Sequence, residues 1–68
     1  MGTLEYVVKA QDDKGQRELG TYALRADAEA ALRDAARAGR GAGFSTVALW
    51  DRVNGSVWSD RVLYTIYL

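Results

Sequence analysis

The stretch RADAEAALRDAARAG, Arg25–Gly39, decides the fold. Seven of its positions are alanine, the strongest helix former. Ala28, Ala31, Leu32 and Ala35 recur at i, i+3, i+4, i+7, the spacing of a stripe that packs on a core. Gly39 reads as the C-terminal cap. Fifteen residues span roughly 22 Å of helix, the length of a strand of six or seven residues. Such a helix, with a stripe of small side chains, is suited to lie close against one sheet.

The segments on either side read as hairpins. Upstream, Leu4–Gln11 alternates, with Leu4, Tyr6, Val8 and Ala10 on one face and Glu5, Val7, Lys9 and Gln11 on the other. Asp12-Asp13-Lys14-Gly15 is a turn cluster, and Arg17–Ala23 reads as the returning strand. Downstream, the glycine-rich link Gly39–Gly43 leads to strands Phe44–Val53 and Ser56–Leu68, joined at Asn54-Gly55. The expectation is a single α+β domain over residues 1–68. Its order is ββαββ, with a four-stranded antiparallel sheet and one helix packed on one face.

A two-residue Asn54-Gly55 loop sets Val53 opposite Ser56. That register places Val47, Leu49, Asp51, Trp58, Asp60, Val62, Tyr64 and Ile66 on one face. Phe44, Thr46, Ala48, Trp50, Arg52, Val57, Arg61, Leu63 and Tyr67 fall on the other. Trp50 and Trp58 then point opposite ways, one to the core and the other exposed or at an interface. Both faces are apolar over much of their length and one helix covers only one, so a partner is expected on the other. A chain of 68 residues is marginal alone, which favours a homodimer.

Composition narrows the chemistry. The chain is 49% hydrophobic and 10% aromatic, as a folded domain is. It contains neither Cys nor His, which removes disulfides and the commonest metal ligands. Nine Lys and Arg balance nine Asp and Glu, so any nucleic-acid contact must rest on a local patch. With no membrane-length apolar run and no signal peptide, the expected setting is the cytoplasm.

No catalytic constellation emerges, and no cofactor or metal is expected. Gly39-Arg40-Gly41-Ala42-Gly43 follows a helix, whereas a phosphate cradle precedes one. Asp51 and Asp60 fall diagonally on one face in the expected register, but solubilising charge explains them as well as acid–base chemistry does. Ser45, Ser56 and Ser59 have no His for a nucleophilic triad. A binding surface is better marked. Arg33, Arg37 and Arg40 recur on the helix face away from the alanine stripe. Glu29 and Asp34 are placed to pair with Arg33 and Arg37, so the plainer reading is a solvated, salt-laced face. The sharper reading is an arginine ridge for phosphates or carboxylates, with Trp50 as an aromatic anchor. Stacking of bases on Trp50 or Tyr67 is a further use of such a surface.

Two family resemblances bear on function. LGTYALRADAEAALRDA, Leu19–Ala35, resembles the strand-to-helix step of the plant ethylene-response DNA-binding domain and its phage-integrase relatives. That implies a small DNA-binding regulator. The whole chain resembles small phage anti-CRISPR proteins. The similarity lies in Tyr6-Val7-Val8-Lys9, Gly20-Thr21, a helix carrying basic residues, and the Val53-Asn54-Gly55 turn. This implies a non-enzymatic inhibitor that occupies a host ribonucleoprotein, the type I CRISPR surveillance complex. Arg33, Arg37, Arg40 and Arg61 are then the contact positions.

Overall fold

The structure, a computed structural model, describes residues 3–54 and 59–68. Two hairpins flank one helix: β1 (Thr3–Asp12), β2 (Gly15–Tyr22), α1 (Arg25–Gly39), β3 (Thr46–Asn54) and β4 (Ser59–Tyr67). The strands form one antiparallel sheet in the order β2-β1-β3-β4, so β2 and β4 are its edges. The α+β fold class and the ββαββ order are those the periodicities predict.

The first turn closes as its residues dictate. Asp12 pairs with Gly15 across Asp13 and Lys14. The Lys14 N–H donates to Asp12 Oδ1 at 2.8 Å, and Gly15 takes a positive φ of 126°, which only glycine adopts readily.

The helix binds the sheet through one large side chain. Leu32 and Ala28 are fully buried against Val8 and Ala10 of β1 and Val47 and Leu49 of β3. Ala31, Ala35 and Ala36 line the same contact, half-buried. Burying a leucine contributes about 2 kcal/mol, and the alanines add little area of their own. What they supply is close approach. The helix starts without a side-chain cap, because Leu24 occupies the N-cap position, and its Asp27 and Arg37 suit the helix dipole.

The helix end differs from the expectation. Gly39 is not the left-handed cap; it is the last helical residue and is buried. The turn continues one more round to Gly43, which has φ 86°. There Phe44 N–H donates to Gly39 O (2.8 Å) and Gly43 N–H to Arg40 O (3.2 Å), the paired bonds of a Schellman motif. Instead, the Leu68 side chain packs against Gly39, its Cδ1 in the space a Cβ would take, so a larger residue there would shift that side chain. Ser45 then donates its N–H to Gln11 O (2.7 Å), and β3 begins at Thr46 rather than Phe44.

The β3–β4 register also differs. Val53 pairs with Ser59, not Ser56, so the register expected around Asn54-Gly55 does not hold. The rest of that turn, with Val57 and Trp58, lies outside the described residues. Leu63 is an extra, unpaired residue: Leu49 pairs with Tyr64, but Trp50 pairs with Val62. A second bulge leaves Leu19 unpaired on β2. Each bulge reverses the in–out alternation beyond it, which a strict period of two does not anticipate.

The Gly39–Leu68 contact yields a double-mutant test. Gly39→Ala should leave the stability of the wild-type chain changed by less than about 0.5 kcal/mol, because the cost of shifting the Leu68 side chain offsets the helix propensity gained. In a Leu68→Ala background the same change should instead stabilise by up to about 1 kcal/mol, the helix propensity of alanine over glycine. Denaturant titration of the four proteins checks this, and a coupling energy of zero would remove Leu68 from the helix contact.

Candidate functional site

The arginines at helical spacing do form one ridge. Arg33, Arg37 and Arg40 are exposed on the outer face of α1, away from the sheet. Asp34 pairs with Arg37 at 3.7 Å, as its spacing predicts, but both side chains are about three-quarters exposed, and such a pair contributes little. Glu29 does not pair with Arg33; it accepts from Arg25 at 3.1 Å. Among the described residues, Arg33 and Arg40 have no carboxylate within ion-pair distance.

The other expected contact residues are elsewhere. Arg61 lies on β4, hydrogen-bonded to Asp51 (2.8 Å), which raises the guanidinium pKa further. It shares the helix side of the sheet with Asp51, not the face of Trp50. Leu68 abuts Gly39 at the C-terminal end of the helix, and Arg61 is seven residues back along β4, roughly 20 Å at the rise of a strand. Trp50 lies on the opposite face of the sheet, paired with Val7. The ridge, Arg61 and Trp50 therefore do not make one patch.

The helix-free face holds the most organised chemistry in the molecule. Its centre is the Asp60 carboxylate. Arg52 donates to both of its oxygens (Nε to Oδ1 2.7 Å, Nη2 to Oδ2 2.8 Å), and Lys9 Nζ donates to Oδ2 at 2.7 Å. Arg52 also donates to Glu18, and the Lys9 ammonium sits 4.1 Å from the centroid of the Trp50 ring. The chain Glu18–Arg52–Asp60–Lys9 crosses all four strands with alternating sign and no net charge. The side chains are only 14% (Arg52), 22% (Asp60) and 10% (Lys9) exposed. Beneath them Val7 is fully buried and Ala48 nearly so.

This arrangement bears on two expectations. On the second sheet face the paired charges lie among the buried Val7 and Ala48, while Val62 and Tyr67 on the same face stay exposed. Asp51 and Asp60 are not a carboxylate pair. The Leu63 bulge puts Asp60 opposite Arg52 and Asp51 opposite Arg61, on opposite faces. Trp50 is neither core nor a free platform. One side of its ring is taken by Lys9, and its Nε1 is buried with no hydrogen-bond partner among the described residues.

Lys9, Glu18 and Arg52 are the residues that sequence reasoning passed over. Their one signal was Val7, an apolar side chain between Glu5 and Lys9 on a face otherwise read as polar. The glycine-rich link is a helix end, as read: the N–H groups of Ala42, Gly43 and Phe44 donate to the carbonyls of Ala38, Arg40 and Gly39 and are not presented to an anion. Among the described residues no three His, Cys, Asp or Glu side chains come together as a metal site.

Arg52 first, then Lys9, holds the Asp60 carboxyl well below the usual carboxylate range through hydrogen bonds. The sign of the pH dependence follows. A carboxylate with a depressed folded pKa stabilises fully above its unfolded value of about 4, and that stability fades as pH falls below it. Asp60→Asn should cost about 1.5–3 kcal/mol at pH 7. Between pH 4 and pH 2 wild type should lose stability faster than the variant. Urea unfolding at pH 7, 4 and 2.5 tests both, and equal slopes with pH would show that Asp60 is not the titrating group.

No protein-family model, no curated protein and no solved structure matches the chain.

Proposed function

We propose that this chain is a non-enzymatic binding module that docks the outer face of α1 on an acidic surface of a host nucleic-acid-handling complex. The observation that carries this is the ridge of Arg33, Arg37 and Arg40, of which Arg33 and Arg40 have no carboxylate partner among the described residues. A chain of zero formal charge thus presents a local positive field that its total charge conceals. Guanidinium groups at this spacing suit carboxylates or backbone phosphates.

The absence of a catalytic role is supported by the carboxylates. Asp51 and Asp60 are each bound to arginine, on opposite faces. The resemblance to small phage anti-CRISPR proteins makes the type I surveillance complex, in the host cytoplasm, the first partner to test. Reading of DNA by the open sheet face is less well supported. That face carries Glu5, Glu18 and Asp60 against Lys9 and Arg52, and both cations are bound by carboxylates or aromatic rings.

Arg33→Glu with Arg37→Glu should weaken binding to the purified surveillance complex by about 10- to 100-fold, the loss of one or two charge-assisted contacts, with an unchanged circular dichroism spectrum. Wild-type affinity should also fall as salt rises. Unchanged binding of the double variant would take the helix out of the account. If wild type does not bind that complex at all, the anti-CRISPR assignment fails, and affinity capture from the native host becomes the way to find the partner.

A further inference from the structure

The two edges of the sheet are not equivalent. β2 reads GQRELGTY: two glycines, two charges and the bulge at Leu19. Those are the devices that keep an edge from pairing with another chain. β4 reads SDRVLYTIY, and its only charges, Asp60 and Arg61, lie before the Leu63 bulge. Beyond the bulge, Tyr64–Tyr67 is regular, uncharged and rich in strand-forming residues, and its outer edge has no neighbour among the described residues. Tyr64 is exposed on the helix side and Tyr67 is 82% exposed on the open side, so large apolar side chains flank this edge on both faces.

We infer that the Tyr64–Tyr67 edge pairs antiparallel with the same segment of a second copy, joining two sheets into one of eight strands. A second copy fits for three reasons. The segment offers no charge to select a different partner. Copies of zero net charge do not repel at a distance. The antiparallel arrangement also carries the Asp60–Arg61 ends apart, whereas a parallel one would stack arginine beside arginine. The two-fold axis of such a pair is perpendicular to the sheet, so both helices lie on one side and both arginine ridges face the same way. The inference stands apart from the identity of the partner proposed above, because it rests on β4 and not on α1.

Sedimentation at tens of micromolar should show twice the chain mass, and Thr65→Lys with Tyr67→Lys should return it to the monomer. Both residues are exposed on the open face, so the substitutions leave the core intact while setting like charges across the pair. Leu19→Lys, on the other edge, should leave the dimer unchanged. Hydrogen exchange on the wild type gives a second readout that needs no variant. The β4 amides that point away from β3 should be protected in a concentration-dependent way, and the outer amides of β2 should not. A monomeric wild type, a dimer that survives the lysine pair with its fold intact, or unprotected outer β4 amides would each overturn the inference.

Discussion

On the helix-free side of the sheet, one carboxylate holds two cations. Asp60 accepts two bonds from Arg52 and one from Lys9, and Glu18 closes the far side of Arg52. With one helix and four strands, the chain has apolar surface on two faces but a helix for only one. The network occupies the middle of the second and leaves Val62 and Tyr67 exposed. It keeps Val7 fully buried without another layer of secondary structure, because lysine and arginine combine long apolar stems with heads that pair. The bulge at Leu63 is what makes this possible. Without the extra residue, Asp60 and the regular end of β4 could not both be in register with β3.

The opposite face obeys a different constraint, the closeness of the helix. Leu32 is the one large side chain that α1 buries; its neighbours are alanines and Gly39. Close approach lets the C-terminal Leu68 pack against the helix at Gly39, and the Schellman turn at Gly43 then sends the chain directly into β3. Thus the apolar core lies between α1 and the central strands. The polar network faces the other way, and the arginine ridge is left outermost, paired among the described residues with Asp34 alone, at its middle.

This division of labour separates structural charge from surface charge. Arg52 and Lys9 are nearly buried and serve the fold, so substituting them would confound stability with binding. Arg33 and Arg40 are exposed and have no carboxylate within ion-pair distance among the described residues, so substituting them should disturb the fold little. In a molecule whose Cα atoms extend only 16 Å along the shortest axis, both faces and both edges are close to solvent. The proposed partner contact through the helix and the inferred pairing through β4 would use different surfaces.

Much of the fold was legible in local sequence. The alternation in Leu4–Gln11, the Asp12–Gly15 turn, the alanine stripe of α1 and the ββαββ order are short-range patterns, and the structure has each of them. The ridge of Arg33, Arg37 and Arg40 is equally local, since helical spacing alone aligns it. What local pattern could not carry was register. The Asn54-Gly55 signal suggested a two-residue loop, but the pairing of Val53 with Ser59 and the bulge at Leu63 follow from how the whole of β4 seats on β3. Those shifts decide which of Asp51, Asp60, Arg52 and Arg61 share a face, and they turn an apparent carboxylate pair into two separate ion pairs. Gly39 shows the same limit. Its sequence position suggested a cap, whereas it is the last helical residue and packs against Leu68, 29 residues away and brought close only by the folded sheet. Local order was set by periodicity and turn chemistry; the ion-pair network and the exposed edge were decided by strand register, which depends on contacts between segments distant in the chain.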